Sequence, residues 1–235
     1  MHQLMLVGWN DFKLIFRDSS LKVYLAMPAL IFLVVFLLIP YLSQRFEGFQ
    51  TFIPYILMAA GMQASVMFGF IYSMVLIHEK DIHVARVYGI LPISKGMFII
   101  SRMVLPFLIS CLVTVVIFQF QSFYSISIID NILLSMLCGL LAPVLALLVT
   151  VLSKNKMEGL TWFKIINMFV MIPVAAFFVP SYEHLFGIFP THWAFQSLSK
   201  IISMNSFVLV YIVGLLYSLV LIYLLMIRFR KVHFL

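Results

Sequence analysis

The sequence predicts an all-α, polytopic membrane protein with six transmembrane helices, and three observations carry that prediction. Hydrophobic residues make up 64% of the chain and charged residues 10%, against roughly 45–50% and about 25% in soluble domains. A water-soluble core cannot hide that much apolar surface, so lipid is the solvent for most of these side chains. Six stretches reach the ~20 apolar residues that a ~30 Å hydrocarbon layer requires: 23–43, 52–77, 97–120, 131–153, 161–180 and 206–227. Basic residues also fall on alternate connections. With the N-terminus inside, the cytoplasmic face receives Lys13, Arg17 and Lys22, then Lys80, Arg86, Lys95 and Arg102. It also receives Lys154, Lys156 and Lys164, and finally Arg228, Arg230 and Lys231. Only Arg45 and Lys200 are left outside, as the positive-inside rule demands.

The segment 1–22 precedes the first span and forms a unit of its own beside the six-span body 23–235. Asp11, Lys13, Arg17 and Asp18 interrupt it, which is not the pattern of a secretory signal. On a helical wheel Met5, Trp9, Phe12 and Phe16 share a stripe, with Asn10, Lys13 and Arg17 on another side. Such a helix lies in the cytoplasmic interface or packs on the protein's own cytoplasmic surface.

Within the second span, Gly61, Ser65, Gly69 and Ser73 recur every four residues. Small side chains at that spacing let two helix backbones approach closely. The partner is either another span of this chain or a second copy. The connection that follows, 78–94, opens with the charges His78-Glu79-Lys80-Asp81. Ile82, Ala85 and Tyr88 or Gly89 then form a short apolar ridge that breaks at Pro92. A short helix held between two long spans is a docking plug for a cytoplasmic partner, or else an amphipathic linker on the membrane surface. It is not a zinc-protease helix, because His78 and His83 stand five apart where that chemistry needs four.

The third and fourth spans contain Cys111 and Cys138, which read as small buried hydrophobes. The last outer connection, 181–205, holds an apolar stretch at 185–189 and the turn Pro190-Thr191, too short to span and too apolar for an ordinary loop. A re-entrant or interfacial segment fits it, with a collapsed surface loop as the alternative. Tyr182, His184 and Trp193 suit headgroup level. No internal repeat supports the plan of many secondary transporters.

The mid-span composition limits function. No Asp, Glu, Lys or Arg occupies the middle of a predicted span, although proton- and ion-coupled transporters place ionisable groups there. An intramembrane enzyme would need a catalytic cluster or a metal site at depth, and neither is present in the sequence pattern. The stronger polar groups are Gln63, Thr114, Gln119, Thr150 and Asn167. These suit hydrogen bonds between helices; Gln63, Thr114, Gln119 and Asn167 are also candidates for a solute path. The net charge of +7 belongs to residues flanking apolar segments, so nucleic acid is not a partner. No GxxxxGK[ST] pattern occurs, so an ATPase would have to be a separate chain.

Several short motifs, in order along the chain, resemble the permease subunits of type-2 ABC exporters. Asp11-Phe12-Lys13 and Phe16-Arg17-Asp18-Ser19 are similar to that family's connecting helix. Glu79, Gly89, Leu91-Pro92-Ile93-Ser94 and Arg102 are similar to its coupling-helix region, with Arg102 standing where Lys is more common. Asn155-Lys156-Met157-Glu158-Gly159 and Phe189-Pro190-Thr191-His192-Trp193 resemble patterns before the fifth and sixth spans, the first of them in a fluoroquinolone-export-type subgroup. The resemblance implies an efflux permease in a bacterial cell membrane, both termini cytoplasmic. It implies a second six-span subunit and a P-loop ATPase that holds ATP and Mg, with no cofactor in this chain. Contact with that ATPase would fall to Glu79, Asp81, Ile82, Arg86, Tyr88, Gly89 and Pro92. An ion-independent channel or facilitator working without an ATPase is the rival reading, and an intramembrane enzyme or scaffold a third.

Overall fold

The computed structural model describes residues 13, 15–16, 19–82 and 94–233. Among the described residues six helices are long and apolar enough to cross a membrane: Leu21–Arg45, Glu47–Asp81, Lys95–Phe120, Ile128–Leu152, Lys156–Phe177 and Val208–His233. Number and order match the six predicted spans. Of the predicted interfacial stripe, Met5, Trp9 and Phe12 lie outside the described residues. Nearby Ile15 is fully buried and Phe16 exposed.

The second span is the central post. In its most apolar window 94% of residues are buried inside the protein, against 17% for the first span, 22% for the fifth and 11% for the sixth. Its small residues allow this position, since they let neighbouring helices close on it. The first span carries a π turn, Val34–Leu38, between its helices Ser19–Leu33 and Ile39–Arg45. The fourth breaks at Leu140 between Ile128–Gly139 and Leu141–Leu152. Pro143 explains that break, because it has no N–H to give the Gly139 carbonyl.

The fifth span starts at Lys156, five residues before the predicted 161. Asn155 caps the helix by accepting from the Glu158 N–H at 2.9 Å, and the Glu158 carboxylate accepts from the Lys154 N–H at 2.8 Å. Polar residues that read as a connection are therefore a helix start. Lys164, assigned to that connection, stands two turns inside the helix. Pro173 then tightens the far end into the 3-10 segment Ile172–Phe177.

The last outer connection folds into two legs, the 3-10 segment Pro180–Ile188 and the helix Pro190–Ile202. Its apex is tied deep in the bundle. Tyr217 donates to the Ile188 carbonyl, and Thr191 donates to the Val170 carbonyl at 2.9 Å. Tyr217 lies nine residues into the sixth span, roughly 14 Å from its start at ~1.5 Å per residue. Leu221 shares a cavity with Phe189, Pro190 and Thr191 and is about 6 Å deeper still. The excursion thus reaches about the middle of a ~30 Å layer and returns. That is a re-entrant hairpin and not a collapsed surface loop.

Candidate functional site

One end of the bundle, the basic end, gathers Lys80, Lys95, Arg102, Lys156, Arg228, Arg230 and Lys231. There the second span finishes in His78-Glu79-Lys80-Asp81, and the last three of these residues each hold different helices. The Glu79 carboxylate accepts both terminal nitrogens of Arg102, at 2.6 and 2.8 Å. The fork-to-fork geometry is the strongest that a guanidinium and a carboxylate form. Arg102 is 1% exposed, and its guanidinium also lies 5.2 Å from the Phe98 ring centre. His233, the last residue of the sixth span, brings Nε2 to 3.8 Å from the same carboxylate while stacking on Phe229. Lys80 donates to the carbonyls of Ser153 at 2.6 Å and Thr150 at 3.3 Å, capping the end of the fourth span. Asp81 accepts from the Lys156 N–H at 3.4 Å, at the start of the fifth.

This clasp changes how the predicted coupling residues are to be read. Glu79 is 6% exposed and engaged by Arg102 and His233, at the root of the connection. Asp81 is exposed, and Ile82 is 53% exposed at the end of the helix. Arg86, Tyr88, Gly89 and Pro92 lie outside the described residues. Arg102 as the partner of Glu79 left only a weak trace in the sequence, a cation seven residues into the third span and an acid two residues from the end of the second. His233 left no such trace.

The small-residue groove is turned inward. A Cβ on Gly61 would meet the Phe118 ring of the third span, and Thr114 donates to the Gly61 carbonyl at 3.2 Å. Ser65 donates to the Cys138 carbonyl at 2.8 Å. A Cβ on Gly69 would stand 2.8 Å from the Leu145 Cβ and 2.9 Å from the Ala142 carbonyl oxygen. Ser73 bonds back to Phe70 in its own helix at 2.6 Å. Gly61, Ser65 and Gly69 thus contact the third and fourth spans of the same chain, which resolves the question left open by the sequence.

The candidate path residues separate. Thr114 is fully buried in the seam just described and lines no open wall. Gln119 accepts from Asn131 at 3.3 Å near the opposite end. Gln63 is half-buried beside a groove of about 250 Å³ that it shares with Ile31, Val34, Val35 and Ile56. Asn167 is half-buried on the fifth span. A second cavity of about 270 Å³ sits under the hairpin apex, lined by Leu145, Ile166, Phe169, Phe189, Thr191 and Leu221 among others. Its walls suit an apolar group.

A bundle of six apolar spans is built to sit in a membrane, and comparison with known proteins gives its family. A family model described as "Fluoroquinolones export permease protein Rv2686c-like" matches residues 11–226. Two relatives are named fluoroquinolones export permease proteins, MT2760 and Rv2686c, from Mycobacterium tuberculosis strains CDC 1551 / Oshkosh and ATCC 25618 / H37Rv. Each is 23% identical over 235 residues, covering 96% of this chain and 93% of the relative. These names and the motif resemblance to type-2 ABC permeases point the same way: the chain is a multi-pass membrane protein that belongs to the Rv2686c-like family of fluoroquinolone export permeases.

Proposed function

We propose that the chain is the membrane-spanning subunit of an ATP-driven exporter. It works with a second six-span subunit and with a separate P-loop ATPase that supplies ATP and Mg chemistry. The basic end faces the cytoplasm, as the positive-inside rule favours, so both termini are cytoplasmic. The solute is amphipathic or lipophilic, of the kind the relatives' names indicate.

The observation that supports this reading most is the clasp. The connection 83–93 springs from the end of the central helix, at residues that also hold the third, fourth, fifth and sixth spans. A displacement delivered to that connection acts on four helices at once through polar contacts of 2.6 to 3.8 Å. A packed, discretely bonded root of this kind shifts as a unit rather than deforming gradually. Ile82, exposed where the helix ends, is the described residue of the apolar ridge that the sequence predicts for contact with the ATPase.

The test is mild-detergent purification of the tagged chain from its host, with mass spectrometry of what accompanies it. A stoichiometric P-loop ATPase is expected, and Arg86→Ala with Tyr88→Ala should release it. Glu79→Gln should keep the ATPase bound but lose solute-stimulated hydrolysis, because it loosens the root and leaves the ridge in place. Purification without any ATPase across several detergents overturns the proposal and favours passive flux, measurable in liposomes.

A further inference from the structure

The sixth span lies at the perimeter of the bundle, and a groove of about 330 Å³ separates part of it from the third. Met103, Met226 and Leu140 are buried in the floor of the groove, the last where the fourth span breaks. Ile100, Val104 and Tyr223 stand exposed along its rims. The Tyr223 hydroxyl is the single polar side-chain group in the lining. Ile100, Met103 and Phe107 fall on one stripe of the third span, and Leu219, Tyr223 and Met226 on one stripe of the sixth.

Continued toward the basic end, the two stripes meet at a cation. Exposed Arg230 stands one helical turn beyond Met226, and Gly96 one turn before Ile100. A Cβ on Gly96 would collide with the Arg230 guanidinium, so the glycine lets that group lie against the start of the third span. Exposed Lys95 and Lys231 adjoin the two in sequence. The described acids at this end are engaged elsewhere: Glu79 by Arg102, Asp81 at the Lys156 N–H and Glu158 at the Lys154 N–H. Among the described residues Arg230 has no acidic partner.

At ~1.5 Å per residue the groove runs from about 6 Å to about 17 Å below the level of Arg230 and Gly96. That is the depth of one leaflet in a ~30 Å hydrocarbon layer. A cation at the mouth and an apolar trench beneath it call for a ligand with the same two parts in the same order. A free anion would leave the trench empty, and an acidic protein segment has nothing to lay at that depth.

We propose that this groove seats an anionic phospholipid of the adjacent leaflet. Its phosphate lies at Arg230, with Lys95 and Lys231 beside it, and one acyl chain lies against Met103 and Met226. In the orientation proposed above this is the cytoplasmic leaflet, while the site itself depends on neither an ATPase nor an exported solute. The lipid bridges the two spans whose Arg102 and His233 meet at Glu79.

The test uses the purified full chain in phosphatidylcholine nanodiscs that contain a little photoreactive lipid. The probe is phosphatidylglycerol or phosphatidylcholine with the same diazirine-bearing acyl chain, and cross-linked peptides are mapped by mass spectrometry. Phosphatidylglycerol should mark residues 100–107 and 219–226 at least about fivefold more than phosphatidylcholine, the worth of one basic side chain near an anionic headgroup. Exposed Leu209 and Ile212, at the other end of the sixth span, should be marked equally by both. Arg230→Gln should lower the groove marking about fivefold, and Arg230→Lys should keep it. Equal marking of the groove by the two headgroups overturns the proposal, as does phosphatidylglycerol spread evenly over the exposed spans. Marking unmoved by Arg230→Gln overturns the role of Arg230. The headgroup comparison needs no variant, so it decides the matter even where a substitution harms folding.

Discussion

Glu79 and Arg102 are charged, buried and paired, and removing one partner leaves the other uncompensated in an apolar setting. Breaking such a pair costs about 3–5 kcal/mol in proteins generally. Glu79→Ala should therefore lower the thermal midpoint of the detergent-solubilised chain sharply, and Arg102→Ala should do the same. The double variant should be less destabilised than the sum of the two, because no orphaned charge remains. Simple additivity would show that the two side chains do not depend on one another. His233 near the same carboxylate adds a third helix to the cluster, and the bidentate fork fixes the relative rotation of the second and third spans.

Among the helices, close approach is decided by which glycines lack room. Gly69 meets a backbone carbonyl and a Cβ, neither of which can move without shifting the fourth span. Gly69→Leu should destabilise by at least about 1–3 kcal/mol through overpacking, read as a lower midpoint by intrinsic fluorescence or scanning calorimetry. A Cβ added to Gly48 would meet nothing within 4 Å, so Gly48→Ala is the matched control and should leave the midpoint unchanged. Asn155 belongs to this scale as well. Losing its cap by Asn155→Ala should cost about 1 kcal/mol, localised by faster amide exchange in the first turn of the fifth span.

For the whole molecule, the hairpin and the basic end set its direction in the membrane. Cysteines placed at Gly48 and at Lys154 should be labelled from opposite sides of the bilayer, Lys154 from the cytoplasm. Labelling from the same side would contradict six crossings. Spin labels at Leu185 and Pro190 should report different depths, the second near mid-layer, if the 3-10 leg descends as the bonds to Tyr217 and Val170 require.

Composition and run length alone established the lipid environment, the six crossings and the basic end. Those properties are sums over local transfer free energies, and each residue contributes whatever its distant neighbours are. The four-residue spacing of Gly61, Ser65 and Gly69 announced a contact face for the same reason, since helical periodicity is local. The start of the fifth span was misplaced because Lys154, Asn155 and Glu158 look like a loop until the cap and its bonds are seen. Only tertiary structure decided what that contact face touches, how deep the hairpin descends, and that Glu79 is held by Arg102 and His233. Those outcomes depend on pairing across 23 and 154 positions of chain, and such pairing leaves no periodic mark in a single sequence.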